Sequence, residues 1–241
     1  MRYKNCFACC RLLGWLLPAL LAAPAVRAQQ VLLQTDVARD TVPARTGPNR
    51  RYFGHLYGSY ALAIGGSELG TAPGFSSFEL QLGGRLKRRL GPCLAVSADL
   101  RYAYLRYTLA DDVRRPAPFD ATHDREALSY HQLQGEVSVR LNPGRRRGNV
   151  VGRYVDVLAY GGPALATTYT TDDPAASGRL EVVAHQPDYL ARWLGGVGVR
   201  VGSNSVALVS RYRLSDALRA TSAAPLPEPP RWVLGLEIGW F

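Results

Sequence analysis

Long apolar runs, paired cysteines and nucleotide-binding motifs are missing from most of this sequence. After residue 28 no apolar stretch approaches 20 residues, so we expect no membrane-spanning helix. Three of the four cysteines lie within the first ten residues, which leaves Cys93 alone and excludes a disulfide-stapled fold. There is no HExxH or paired-cysteine motif, no Walker loop and no Rossmann fingerprint. We therefore expect no metal and no cofactor.

Residues 1–28 have the pattern of a cleaved signal peptide. Arg2 and Lys4 give a positive start, about a dozen apolar residues follow from Leu12, and Val26-Arg27-Ala28 ends the segment. The apolar core is too short to cross a bilayer as a helix. Export with cleavage is therefore favoured over an uncleaved membrane anchor.

The charge of the chain does not indicate a nucleic-acid partner. The formal net charge is +10, and residues 1–28 contain four basic and no acidic residues, so +6 remains without them. The remaining arginines are scattered or sit in turns, and they form no single basic stripe that could follow a phosphate backbone. We expect no nucleic acid among the partners.

The rest of the chain divides into an extension and one folded domain. Residues 29–50 are polar and turn-rich, with Pro43, Gly47 and Pro48, and they predict a flexible N-terminal extension. From residue 51 to 241, segments of alternating apolar and polar residues recur. This alternation predicts that residues 51–241 form a single all-β domain.

The alternation is clearest in three segments. Apolar residues take the even positions in 78–87 and 94–102, and the odd positions in 133–141. A period of two is typical of a strand with one face in an apolar medium and the other in a polar one. Counting such segments along the chain predicts eight strands, at about 51–63, 75–88, 93–109, 128–142, 150–169, 189–201, 205–214 and 231–241.

The connections between these segments alternate in length. Three are short turns rich in Gly, Pro and Asn, at 90–92, 142–149 and 202–204. The others are longer, at about 64–74, 110–127, 170–188 and 215–230. Short turns at one end and long loops at the other are typical of an outer-membrane barrel, and an even strand number leaves both barrel termini at the short-turn, periplasmic end.

The polar face of the predicted strands carries charges of both signs, with arginine as the dominant base. An eight-stranded barrel is just wide enough to be filled by side chains, and unpaired buried charges are costly, so these residues predict an internal network of ion pairs. The planar fork of arginine suits this role because it can hold two carboxylate oxygens. The predicted interior network consists of Glu79, Arg85, Asp99, Arg101, Glu136, Arg140, Asp156, Arg200, Arg211 and Glu237.

The last predicted strand, 231–241, carries the most specific resemblance. It is similar to the final strand of outer-membrane β-barrel proteins, which end in an aromatic residue that the barrel-assembly machinery recognises. Trp240 and Phe241 are the residues that match. The strongest apolar alternation runs from Trp232 to Trp240 on even positions, so Phe241 lies out of phase with it.

Across residues 51–241 the chain resembles the small outer-membrane barrels of the OmpA/OmpX-like or PorT-like type, within the porin-like superfamily. The resemblance implies an eight-stranded antiparallel up-and-down transmembrane β-barrel in the cell outer membrane, with residues 29–50 in the periplasm. Outer-membrane lipid and the barrel-assembly machinery are the partners it implies. An extracellular or envelope protein that contacts the loops is a further expected partner.

Three functions remain open on the sequence alone. The first is a non-enzymatic structural, adhesive or assembly-accessory role through the extracellular loops. The second is a lipid-modifying hydrolase in which Ser129 and His131, two apart on one strand, act with Glu126 or Glu136. The third is a soluble periplasmic β-sandwich or ligand-binding barrel. The first is favoured because the hydrolase lacks a clearly positioned acid.

Overall fold

The described residues form nine β-strands, and eight of these close into an antiparallel barrel. The computed structural model describes residues 46–65, 76–109, 123–143, 150–175, 178–219 and 228–241. The predicted segment 1–28 lies outside these ranges. The strands are β1 (Tyr52–Ile64), β2 (Phe78–Arg89), β3 (Leu94–Leu109), β4 (Arg125–Leu141), β5 (Arg153–Ala175), β6 (Gly178–His185), β7 (Trp193–Ser203), β8 (Val206–Arg213) and β9 (Trp232–Trp240). Within the described ranges no helix is long and apolar enough to cross a membrane.

The barrel closes because its first and last strands pair with each other. β1 pairs with β2 on one side and with β9 on the other, both antiparallel. The remaining neighbours follow chain order except at β6, and β4 and β5 join the two halves of the sheet. The predicted eight-stranded antiparallel barrel is therefore confirmed. β1 begins and β9 ends at the end with the short turns, which we call the lower end; the opposite one is the upper end.

β5 is longer than the barrel needs, and its two halves have different partners. Arg153–Pro163 pairs with β7, whereas Thr168–Ala175 pairs with β6. Between these parts the register with β4 shifts at His131/Gln132, which marks an irregularity of the kind that a β-bulge produces. β6 therefore extends the sheet as one hairpin above the barrel.

This hairpin corrects the loop prediction for residues 170–188. That segment was expected to be an irregular connection, but its described part consists of the end of β5 and the whole of β6. The strand predicted to begin at residue 189 begins at Trp193 instead. The reason is tertiary, because residues 186–192 fold over the upper end of the barrel.

Side chains alternate between the inside and the outside of the barrel along each strand. In β3, buried and more exposed residues alternate from Leu94 to Leu109. This is the geometry of an extended chain, in which successive side chains point to opposite faces. The polar phase of the sequence faces inward and the apolar phase faces outward, which is the reverse of a soluble sheet protein.

An apolar cluster fills the upper end of the barrel. Two connecting segments fold over this end, and a backbone bridge between Leu190 and Leu218 joins them. The hydroxyl of Tyr130 donates a 2.7 Å hydrogen bond to the carbonyl of Ala217. The buried members of the cluster are Leu105, Tyr107, Leu109, Leu128, Tyr130, Leu190, Ala191, Leu194, Ala217 and Leu218.

The lower end is closed by aromatic residues and a turn. The ring of Phe241 packs edge-on against Phe53 at 5.2 Å and against His55 at 5.4 Å. Phe241 therefore continues the inward phase of β9, which explains why it falls out of step with the outward apolar residues. Arg89 donates a 2.9 Å hydrogen bond to the carbonyl of Asn49, so ordered structure begins before the predicted boundary at residue 51.

Beside the register shift, β4 and β5 lie so close together that β5 needs a glycine there. A Cβ added at Gly162 would lie 2.0 Å from the carbonyl oxygen of Leu133 and 2.8 Å from the Cα of Gln134. At Gly135, by contrast, the nearest atom to an added Cβ would be 3.9 Å away.

We expect Gly162→Ala to destabilise the barrel by about 1–3 kcal/mol, because the backbone of β4 cannot move aside as a flexible side chain can. Gly135→Ala is the matched control on the neighbouring strand and should have little effect. Urea unfolding of the refolded proteins measures both. Equal stability of the two variants would contradict the close approach seen here.

Candidate functional site

All ten residues of the predicted interior network lie inside the barrel. Each is at most 6% exposed, and each occupies an inward position of its strand. Arginines are the largest of these fully buried side chains. Since a buried charge without a partner is costly, the contacts among these residues decide whether such an interior is stable.

Arg200 on β7 is the centre of the network. Its Nη2 donates a 2.6 Å hydrogen bond to Oε1 of Glu136, and its Nη1 donates one of 3.0 Å to Oδ2 of Asp156. Its Nε lies 3.0 Å from Oε2 of Glu237. One guanidinium thus neutralises carboxylates from three other strands, β4, β5 and β9.

Arg85 on β2 connects this centre to the other side of the barrel. Its two terminal nitrogens donate hydrogen bonds of 2.7 and 3.0 Å to the two carboxylate oxygens of Glu237. Its Nε donates a 2.7 Å bond to Asp99 on β3. Because β1 lies between β2 and β9 in the sheet, the contact of Arg85 with Glu237 spans the β1–β9 pair that closes the barrel.

Two further arginines complete the network. Arg140 donates hydrogen bonds of 2.7 and 2.8 Å to the two oxygens of Asp156, in the paired geometry expected of arginine. Arg101 forms an ion pair with Glu136 and donates a 2.8 Å bond to the side-chain oxygen of Gln134. Four arginines and four carboxylates are therefore connected in one continuous set.

Tyrosine rings add a second kind of support for the cations. The Arg140 guanidinium carbon lies 3.6 Å from the centre of the Tyr154 ring, and that of Arg85 lies 4.4 Å from the centre of the Tyr57 ring. Such cation–π contacts are stronger where water is excluded. Neither tyrosine was among the predicted interior residues.

Arg211 and Glu79 form a separate and looser pair. Their closest ion-pair distance is 3.4 Å, and Arg211 also lies 3.4 Å from the hydroxyl of Ser59. The structure thus joins eight of the ten predicted residues in one set and leaves these two beside it.

Several buried polar residues were not among the predicted ten. Lys87, Gln134 and Arg213 are all less than 5% exposed. The same period-two alternation places Lys87 in phase with Arg85, and Gln134 in phase with Glu136, so the pattern contained the signal for both. Arg213 reaches Glu228 at 2.9 Å, a contact that depends on how the connection between β8 and β9 folds.

The interior leaves little room for solvent or a ligand. A cavity of about 20 Å³ lies between the charge network and the upper apolar cluster, and Glu79, Gln132 and Tyr160 are among its walls. That volume is near the minimum that holds one water molecule. A general diffusion pore or a buried ligand pocket does not fit this packing.

The outer surface carries an apolar belt around the whole barrel. Each of the eight barrel strands contributes large apolar side chains that are more than one-third exposed. Representative members of the apolar belt are Leu56, Leu86, Leu100, Val137, Val157, Val199, Leu208 and Leu236. Such a surface has no counterpart in a soluble β-sandwich, and the closed barrel excludes the sandwich alternative.

Tryptophans stand at both borders of the apolar belt. On β9, Trp232 lies at the upper end and Trp240 at the lower end, and both are more than half exposed. The eight residue steps between them span about 27 Å along an extended strand. With a tilt of 35–45° this corresponds to a height of roughly 20 Å, close to the apolar band of outer-membrane barrels.

Among the described residues, no carboxylate completes a catalytic triad with Ser129 and His131. Both residues lie on the outward face of β4, and their contacts are to tyrosines: Ser129 Oγ to the Tyr104 hydroxyl at 3.4 Å, and His131 Nδ1 to the Tyr102 hydroxyl at 2.5 Å. The proposed acids, Glu126 and Glu136, are buried on the inward face. The sheet therefore separates each acid from the histidine that it would have to orient.

Above the apolar belt, a side-chain pair joins the start of β4 to the extended part of β5. Nδ1 of His123 lies 2.6 Å from Oδ2 of Asp173, and the backbone amide of Asp124 donates to Oδ1. These two hydrogen bonds lower the pKa of Asp173 below its ordinary value. Residues 172–173 were predicted to lie in the connection 170–188, but they belong to β5. Most of the predicted connection 110–127 lies outside the described residues.

The chain matches no protein-family model, and no curated protein gives a significant alignment with it. The resemblance to small outer-membrane barrels therefore stays a prediction from the residues themselves. What the barrel does has to be inferred from its interior, its outer surface and its two ends.

We expect Arg200→Met to destabilise the barrel by about 3–5 kcal/mol, because it leaves three buried carboxylates short of a partner. Arg211→Met is the matched control, since Arg211 makes only the looser contacts with Glu79 and Ser59. Denaturant unfolding compares the two variants. A cost for Arg211→Met equal to that of Arg200→Met would contradict the central role of Arg200.

Proposed function

We propose that this chain is an outer-membrane β-barrel protein with a non-enzymatic structural, adhesive or assembly-accessory role. The observation that carries the proposal is the apolar belt around a closed barrel whose interior is charged. In a soluble protein the charged face of a sheet is exposed to water, whereas here that face is buried in the interior of the barrel. The medium outside must therefore be apolar.

The extent of the belt argues for lipid rather than for a protein partner. Soluble monomers rarely expose a contiguous apolar patch larger than a few hundred Å², and patches on one side of a protein usually bind another protein. Here the exposed apolar side chains occur on all eight barrel strands. A surrounding bilayer covers every side at once, and tryptophans at both borders fit the membrane–water boundaries.

The packed interior supports a scaffold role over transport or catalysis. Arg200 and its three carboxylates occupy the centre of the barrel, and the apolar cluster lies above them. A solute would have to break both layers to pass. The separation of Ser129 and His131 from an acid likewise gives no support for the hydrolase alternative.

The β5–β6 hairpin is the part best suited to contact a partner at the extracellular end. Among the described strands, β6 has a neighbour on one side only, so its other edge has free backbone donors and acceptors. Leu180 and Val182 on this strand are more than half exposed. An extended segment of an extracellular or envelope protein is the partner that fits such an edge.

We further propose that Trp240 and Phe241 form the signal read by the barrel-assembly machinery. Trp240 faces outward at the lower end, whereas Phe241 packs against Phe53 and His55. The final strand thus presents one aromatic side chain to lipid and uses the next to fix the seam with β1.

Cell fractionation tests the membrane location. We expect the protein in the outer-membrane fraction, and we expect the unboiled protein to run faster on a denaturing gel than the boiled protein, because a closed barrel stays compact in detergent. Arg200→Met should weaken this resistance to unfolding. Recovery in the periplasmic extract, with no shift on boiling, would refute the membrane barrel.

A paired substitution tests the hairpin. Leu180→Lys with Val182→Lys adds charges to the edge of β6 and should block pairing with another strand while leaving barrel assembly intact. Complementation of the envelope defect of a deletion strain is the measurement. We expect the edge variant to fail and His131→Ala to complement fully. The reverse result would favour the lipid hydrolase.

A further inference from the structure

The two ends of the barrel differ in the balance of their charges. The described residues of the lower end, at 46–54, 86–96, 139–143, 150–155, 201–208 and 238–241, contain no aspartate or glutamate. The upper end has acids beside its bases, including Asp124, Asp173 and Asp216. Arg231 there is already paired with Asp216 at 2.6 Å.

Besides Arg89, which donates hydrogen bonds to the carbonyls of Gly91 and Asn49, four arginines lie around the described part of the lower end. We call Arg50, Arg51, Arg88 and Arg153 the basic collar. Arg51, Arg88 and Arg153 are exposed, and Arg50 is partly exposed. No carboxylate partner is seen for any of them among the described residues. The described part of this surface therefore carries an excess of positive charge.

The collar lies immediately below the apolar belt. Arg88 is the next outward residue after Leu86, and Arg153 is the outward residue before Val155. Two residues of strand correspond to about 7 Å, which is the step from the edge of the hydrocarbon to the level of the headgroups. Arginine suits this level because its stem lies along apolar surface while its guanidinium extends into the polar layer.

From this charge and position we propose that the basic collar binds the phosphate headgroups of anionic phospholipids, such as phosphatidylglycerol, in the leaflet at the lower end. The inference rests on the proposed membrane location and goes beyond it by naming the lipid. A guanidinium and a phosphate form charge-assisted hydrogen bonds. In a zwitterionic headgroup the cationic amine already balances the charge of the phosphate, so its attraction to arginine is weaker. Each arginine near an anionic surface favours association by about fivefold.

The chain contains its own reporters for this contact. Trp240 is exposed at the lower end. It pairs with Leu56 of β1, and Arg88 pairs with Tyr52, four residues away on the same strand. Trp193 is exposed at the upper end. With Trp15→Phe, Trp193→Phe and Trp232→Phe, the full chain keeps Trp240 as its one tryptophan. A second version keeps only Trp193.

The test is quenching of tryptophan fluorescence by brominated lipids in vesicles of phosphatidylcholine and phosphatidylglycerol. Two vesicle samples have the same lipid composition. In one the phosphatidylglycerol is brominated, and in the other an equal amount of the phosphatidylcholine is brominated. We expect brominated phosphatidylglycerol to quench Trp240 more strongly than brominated phosphatidylcholine. We expect Arg51→Gln with Arg88→Gln to bring the ratio of the two quenching efficiencies close to one. Arg106→Gln with Arg125→Gln, at the upper end, is the matched control and should leave the ratio unchanged.

The outcomes separate the lipid preference from the membrane location. Equal quenching of Trp240 by the two brominated lipids would overturn the basic collar while leaving the barrel in the bilayer. A preference that survives Arg51→Gln with Arg88→Gln would also overturn it. Absence of quenching of both Trp240 and Trp193 would overturn the membrane location, and the collar with it. Gel mobility without boiling checks that each variant has folded.

Discussion

The barrel depends on the neutralisation of charge inside a space that has little room for water. Arg200 shares its guanidinium among Glu136, Asp156 and Glu237, and each of these acids has a second arginine partner. Removing one member of such a set leaves another charge buried without compensation. The network therefore favours one arrangement of the strands, because the strands that supply its members are fixed relative to one another.

The inner and outer surfaces of the barrel impose conditions on each other. Every strand alternates, so a side chain that does not enter the charged interior must face the surroundings. Because the interior takes the polar phase, the surroundings receive leucine and valine. A shift of any strand by one residue would exchange the two faces and put its charges outside. The charge network and the apolar belt thus fix the same register.

Period-two alternation accounts for what the sequence could predict. It identified the barrel strands and the facing of residues such as Arg85 and Glu136, because that facing follows from the local pattern alone. The same alternation also indicates that Lys87 faces inward, although the predicted set of interior residues omitted it. The upper cluster was out of reach, because Leu190 and Leu218 meet through the folding of two separate connections. No local periodicity reports such a contact.

β6 shows a different limit. The acid pair and the proline before it have the composition of a turn, so the segment was predicted to be a connection although it contains Leu180, Val182 and Val183. It becomes a strand because β5 continues beyond the barrel and offers a paired edge. Ser129 shows a related limit, since the alternation of β4 places it on the outward face but does not indicate its burial beside Tyr104. Both depend on neighbouring strands.

β5 is long enough to connect the barrel to the hairpin at its upper end. The same strand contributes Asp156 to the charge network and then runs on to pair with β6. β4 supports the extension from the other side, as far as the pair of Arg125 with Asp172. The edge of β6 that has no neighbour among the described strands is therefore held in place by the pairing of β5 with β4. A preformed edge reduces the ordering cost of binding, so a short complementary strand can suffice to occupy it.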